Sequence, residues 1–182
     1  MFALLVALAG CGSDNGAQCE TGPRDGYPAA PFGVKEGSVI DNLQLTNSDD
    51  SPFALQDVYA DGDNRLLLVS TAAGWCVACI EEQPTLQSLY EEHQADGLFV
   101  LVSLYQDAQN QPADAALAAG WKQAYGVSFA VVADPSFLFD AYYDSSLTPM
   151  NMLVDVCDMT ILKITTGNDP SAIEAIIESR LQ

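Results

Sequence analysis

Apolar residues recur along this chain in alternating, continuous and helical patterns, and the order of those patterns predicts most of the fold. Leu43–Thr46 (LQLT) and Phe53–Gln56 (FALQ) alternate apolar with polar around the polar stretch Asn47–Ser51, which predicts a β-hairpin. Arg65–Thr71 (RLLLVST) is a continuous apolar run too short for a globular helix. It predicts a strand buried on both faces, as in parallel sheets. From Val77 to Gln94 the positions Ile80, Leu86, Leu89 and Tyr90 recur at helical spacing. Pro84 is expected to kink this helix and Asp96-Gly97 to end it. Leu98–Leu104 (LFVLVSL) predicts a second buried strand, and Pro112–Tyr125 a second helix with Pro112 in its first turn and Gly126 closing it.

Phe129–Ala133 predicts a third short strand, and Phe137–Tyr143 a helical turn. Met152–Val156 and Thr160–Thr165 follow so closely that they must pair antiparallel. A last helix has Asp169 as its cap, Pro170 at its first position and a stripe of Ile173, Ile176, Ile177 and Leu181. The succession predicts an α/β fold, a mixed central sheet flanked by helices with an added N-terminal β-hairpin.

The first residues behave differently. Met1–Ala9 is almost wholly apolar and uncharged, yet far shorter than the roughly 20 residues a spanning helix needs, and reads as the apolar part of an export signal. Leu8-Ala9-Gly10-Cys11 resembles the bacterial lipobox, which implies a signal peptide over residues 1–10 and a lipid bilayer as partner through acylated Cys11. Gly12, standing where Asp would retain the protein, favours the outer membrane by analogy with the enteric sorting rule. Residues 11–36 are rich in Gly, Pro, Asp and Ser without apolar period, as in a flexible tether, leaving 37–182 for one domain. With 6 Lys and Arg against 25 Asp and Glu, the net charge of −19 argues against nucleic acid as a partner. The acids are scattered rather than blocked, which fits a solubilising surface.

The chemistry concentrates in Trp75-Cys76-Val77-Ala78-Cys79, between the strand Arg65–Thr71 and the helix that begins near Val77. The unpaired N–H groups and partial positive charge of a helix start stabilise a thiolate, and a three-residue offset brings two sulfurs within disulfide range. Cys76 is then the exposed nucleophile and Cys79 the shielded resolving thiol. A zinc site is disfavoured, because the chain has no second CxxC and its only histidine, His93, lies far down the helix. No metal and no cofactor is expected.

Ala73-Gly-Trp-Cys-Val-Ala-Cys-Ile-Glu-Glu-Gln-Pro84 resembles the active-site segment of the TlpA-like thioredoxins, membrane-tethered redoxins of the bacterial cell envelope. Glu82 and Pro84 match the Glu and Pro of that family's motif, and Thr148-Pro149 is similar to its Thr-Pro motif leading into a strand. The resemblance spans roughly residues 37–182. It implies a thioredoxin fold, a cis Pro149 holding the preceding backbone beside Cys76 and Cys79 for an extended substrate, and support of the site by Trp75, Thr148 and Glu82. It further implies a monomer that reduces disulfides of exported proteins and takes electrons from a membrane or periplasmic thiol donor. Apocytochrome c is a candidate substrate on the resemblance alone.

Two departures bear on mechanism. Thioredoxin carries a buried Asp six residues before its nucleophile, where this chain has Ser70, so Glu82 or a water is left as the proton shuttle. The pair between the cysteines is Val77-Ala78, with no His or Lys and with Glu81 and Glu82 close by. The Cys76 pKa is therefore expected at or above about 7 rather than near the roughly 3.5 of strong oxidants.

Cys19 and Cys157 remain after the lipidated and redox cysteines, and a structural disulfide between them is expected in an exported protein. An intermolecular bridge or a second relay pair are the competing roles. Trp121 is expected in the core, and Tyr142-Tyr143 packed near the Pro149 loop or lining a substrate groove. Two other functions stay open. A peroxiredoxin would need a Pro-x-x-x-Thr-x-x-Cys loop, but those places hold Val69 and Ala73 before Cys76, and Ala72 and Cys76 before Cys79. A non-enzymatic lipoprotein would use the dithiol only as a binding or delivery partner.

Overall fold

The computed structural model describes residues 22–167 and 171–181, so Cys11, Cys19 and Asp169-Pro170 lie outside the described residues. In chain order the elements are strand β1 (Gln44–Asn47), β2 (Pro52–Ala54), helix α1 (Leu55–Ala60), β3 (Leu66–Ala73), α2 (Val77–His93), β4 (Leu98–Gln106), α3 (Ala115–Tyr125), β5 (Ala130–Ala133), β6 (Met150–Asp155), β7 (Thr160–Thr166) and α4 (Ser171–Leu181). Short 3₁₀ turns occupy Gln94–Asp96, Leu138–Tyr142 and Ser145–Leu147.

The strands form one seven-stranded sheet in the order β2-β1-β5-β4-β3-β6-β7. β3, β4 and β5 run parallel, and β6 pairs antiparallel with both β3 and β7. β3 has a neighbour on each side and a layer on each face, which is why all eight of its residues are buried. Period-two alternation divides it between two cores. Leu66 and Leu68 face Leu86 of α2, Trp121 of α3 and Ile177 of α4. Leu67 and Val69 face Leu55 of α1, Phe139 of a 3₁₀ turn, Met152 and Ile40. Both faces are thus covered, one by three helices and the other by α1, the 3₁₀ turn Leu138–Tyr142 and the chain before β1.

Several boundaries differ from the sequence pattern. The hairpin forms, but the second run turns helical at Leu55, where the Asp57 carboxylate accepts the Ala54 N–H at 2.8 Å and starts α1. Pro112 does not open α3. It forms an isolated bridge with Gln106, and the helix begins after Asp114, whose carboxylate accepts the Leu117 N–H at 2.8 Å. α2 continues across Pro84 to His93. Gly97 follows its terminal 3₁₀ turn at φ +101°, and an added Cβ would sit 2.7 Å from the Asp63 carbonyl, so both conformation and space call for glycine.

The described part of the expected tether is laid on the domain. Arg24 donates to the carbonyls of Tyr59 and Asn64, Tyr27 Oη donates to Ile40 O, and Glu36 pairs with Lys163 at 3.0 Å. A segment without apolar period is held here by polar contacts to backbone, which periodicity does not register. Ile173, Ile177 and Leu181 of α4 are buried and Ile176 partly so.

Leu67 is fully buried in the central strand, so Leu67→Ala should lower the unfolding free energy by about 2–5 kcal/mol, read from urea unfolding with an unchanged m-value.

Candidate functional site

The parallel strands all point their C-terminal ends to one edge of the sheet, and there β3 passes through Gly74 and Trp75 into α2. Cys76 is the residue that caps α2, with extended backbone, and its sulfur accepts the Cys79 N–H at 3.1 Å. Cys76 and Cys79 are joined in a disulfide. Cys76 retains 5% of its surface and Cys79 none. Both residues are buried in the disulfide form, so Cys76 is less open than the exposed nucleophile expected from the sequence.

Ser70 and Thr71 are the buried polar residues of β3, and alternation sends their side chains to opposite faces. On the α2 face Ser70 Oγ donates to Glu82 Oε2 at 3.0 Å, and Asn151 Nδ2 of β6 donates to Glu82 Oε1. Glu82 has no exposed surface, lies one helical turn beyond Cys79, and makes no ion pair among the described residues. Burial raises its pKa above the usual carboxylate range, with the bonds from Asn151 and Ser70 opposing the shift. The buried acid on this face of β3 thus comes from the facing helix, bonded to Ser70 where thioredoxin carries an Asp.

On the other face Thr71 Oγ1 accepts the Met150 N–H at 3.0 Å and donates to Tyr143 Oη at 3.0 Å. Tyr143 Oη in turn bonds Thr148 Oγ1, which also accepts from Tyr105 Oη at 3.3 Å. The Thr148–Pro149 bond is cis. Cys79 Sγ lies 3.8 Å from the Thr71 carbonyl, so Thr71 touches both the resolving cysteine and the start of the strand after Pro149.

Trp75 is 43% exposed beside the disulfide, its indole Nε1 donating to Gln106 Oε1 at 3.0 Å and its ring meeting Tyr105 edge-on. Gly74 lets this happen, since an added Cβ would stand 2.5 Å from the Ala108 N of the loop after β4. Phe137 takes a left-handed backbone, φ +50°, uncommon for a bulky residue, and its ring stacks on Tyr105 with centroids 3.8 Å apart. Exposed Trp75, Val77 and Leu147 add an apolar rim.

The structure therefore gathers Cys76, Cys79, Trp75, Glu82, Thr148 and Pro149 at one end. Cys157 stands elsewhere, in the turn between β6 and β7, and is itself disulfide-bonded. Its expected partner Cys19 is outside the described residues. Trp121 is buried and donates to Gln83, whose side chain bonds the Cys79 carbonyl at 2.8 Å. Sequence reasoning missed Ser70, Thr71 and Asn151 as partners and Tyr105, Gln106 and Phe137 as walls. The polar Ser-Thr pair closing an otherwise apolar strand was the one available signal.

A disulfide at a helix start, beside a cis proline and on a mixed sheet, defines a redoxin of the thioredoxin fold. The chain belongs to the AhpC/TSA family, whose model matches residues 37–162. This accords with the resemblance to TlpA-like redoxins carried by the segment around Cys76. No curated protein sequence matches the chain. Among solved structures it is similar to a thiol:disulfide interchange protein, DsbE, from Chlorobium tepidum, with 19% identity and a TM-score of 0.67 over 82% of this chain and 100% of that one. It is similar also to the exposed lipoprotein thioredoxin of Streptococcus pneumoniae (19% identity, TM-score 0.58, 76% and 99% covered) and to a peroxidoxin, BcpB, of Mycobacterium tuberculosis (12%, 0.63, 81% and 99%). At these identities the likeness is one of fold.

Glu82 gives a pH test. Its folded pKa exceeds the roughly 4.3 of an unfolded Glu, so between those values the folded state binds more protons and stability falls as pH rises. The stabilisation is full below the unfolded value and gone above the folded one. Relative to Glu82→Gln, wild type should lose stability across that window in urea unfolding measured against pH, and a constant difference between the two would refute a raised pKa.

Proposed function

We propose that this protein is a thiol:disulfide oxidoreductase of the bacterial cell envelope that reduces disulfides of exported proteins. The observation carrying this reading is the Cys76–Cys79 disulfide at the start of α2, with Thr71 in contact with both Cys79 Sγ and the strand after Pro149.

In the reduced protein the Cys76 thiolate, helped by the Cys79 N–H and the helix start, attacks one sulfur of a substrate disulfide. The substrate S–S bond breaks, its other sulfur leaves as a thiolate and takes up a proton, and a mixed disulfide remains. Cys79 then loses its proton and attacks Cys76 Sγ, closing the internal disulfide and releasing the second substrate sulfur as a thiol. Two electrons and two protons pass to the substrate. Glu82, buried one turn beyond Cys79 with its pKa raised, is the buried acid-base group nearest in sequence to serve Cys79, directly or through water. A second electron pair from a membrane or periplasmic thiol donor restores the dithiol.

The reducing direction is supported by where the cations are. All six Lys and Arg lie away from the dithiol. Arg65 precedes β3 at its far end, Arg180 bonds Asp155 opposite that end, Arg24 bonds the Asn64 carbonyl, Lys122 sits in the last turn of α3, Lys163 pairs with Glu36, and Lys35 precedes that Glu. A thiolate with only a helix start to stabilise it makes the reduced form less favoured than in strong oxidants. Attachment through acylated Cys11 is supported by the small residues before it, and no described helix is long and apolar enough to cross a membrane. Outer-membrane placement rests on Gly12, and a monomer without cofactor suffices for the chemistry.

The full chain in detergent should reduce insulin with dithiothreitol as donor. Cys76→Ser should fall to the uncatalysed rate, and Cys79→Ser should accumulate a covalent adduct visible on a non-reducing gel. The couple should equilibrate near or below about −270 mV, whereas a potential near −120 mV would make it an oxidant. Faster turnover with hydrogen peroxide than with disulfides would assign a peroxidase, and neither activity a binding or delivery role.

A further inference from the structure

Tyr143 and Thr148 bracket the 3₁₀ turn Ser145–Leu147, and their hydroxyls bond across its base. Thr71 Oγ1 accepts from Met150 N and bonds Tyr143 Oη, and Tyr143 Oη and Thr148 Oγ1 share a bond in which either hydroxyl can donate. One phenol thus closes a chain from the central strand, whose Thr71 carbonyl touches Cys79 Sγ, to the residue preceding Pro149. The rest of that loop is pinned on its outer side, where Gly167 N donates to the carbonyls of Leu147 and Pro149. The Thr148 carbonyl between them accepts no hydrogen bond among the described residues, and Thr148 itself is only half buried. An open acceptor beside a redox disulfide is what an extended substrate segment would pair with.

We propose that Tyr143 is a positioning residue: by tying Thr148 to Thr71 it holds the Thr148 carbonyl where a disulfide-bearing backbone docks, and so sets KM for protein disulfides. The inference rests on the reductase reading and deepens it. The Tyr143 hydroxyl bonds Thr71 and Thr148 rather than a cysteine, so it acts on docking of the polypeptide rather than on exchange at Cys76. A disulfide that carries no peptide backbone gains little from it.

The test compares insulin with bis(2-hydroxyethyl) disulfide, using the full chain with dithiothreitol as donor. Tyr143→Phe removes one hydroxyl and keeps the ring against Phe137. It should raise KM for insulin about fivefold to tenfold, the value of one hydrogen bond, with kcat changed less than twofold, and the loss on insulin should exceed that on the small disulfide at least threefold. Thr148→Val should do the same by removing the other partner, and the double variant should fall short of the combined single losses, because both delete the Tyr143–Thr148 bond. Equal losses on the two disulfides, an unchanged KM for insulin, or additive losses in the double variant would each overturn the proposal. Failure of the wild type to reduce either disulfide would instead remove the reductase reading, and this inference with it.

Discussion

Two hydroxyl residues buried within a strand that is covered on both faces constrain everything around the disulfide. Ser70 and Thr71 have no access to water, and a buried polar group left without a partner costs about 1–3 kcal/mol. Each must therefore be met from its own face of the sheet. Ser70 is met by Glu82 and, through it, Asn151, while Thr71 is met by Tyr143 and the Met150 N–H. The two networks fasten the same pair of strands, β3 and β6, on opposite faces just where α2 begins. The Cys76–Cys79 pair inherits its position from that double attachment.

The network on the helix face also has a chemical consequence. Burial with no cation beside it makes Glu82 hold its proton to higher pH than an exposed carboxyl would. Its two hydrogen-bond partners come from neighbouring strands rather than from its own helix, which ties the acid's ionisation to the β3–β6 register. The opposite network carries no group that titrates near neutrality. Its tyrosines are pushed upward by burial, so its role is geometric.

Much of the fold could be read from the chain because each strand of the parallel core is a continuous apolar run and each long helix has a stripe. The redox pair was legible for a local reason: strand, CxxC and helix start are contiguous, and the electrostatic benefit of a helix terminus acts within one turn. What escaped was whatever depends on pairing over long separations. Tyr105 reads as one more apolar residue of a strand, yet its hydroxyl reaches Thr148, 43 residues away. Asn151 looks like a polar interruption in β6 until Glu82 is found 69 residues earlier, facing it. Residues 11–36 have no apolar period and read as a tether, yet the described part is held by Arg24 and Tyr27 on backbone carbonyls and by the Glu36–Lys163 pair, contacts that periodicity does not register.

By itself, then, the sequence determined the alternation of strands and helices, the presence of a dithiol at a helix start, and the absence of basic residues beside it. These are set by nearest neighbours along the chain. Only the tertiary structure decided how Glu82 is buried and bonded across the sheet, which hydroxyls hold the Pro149 loop, and how little of Cys76 remains open. Those depend on which side chains meet across the sheet once water is excluded, and burial, not sequence distance, makes such meetings obligatory.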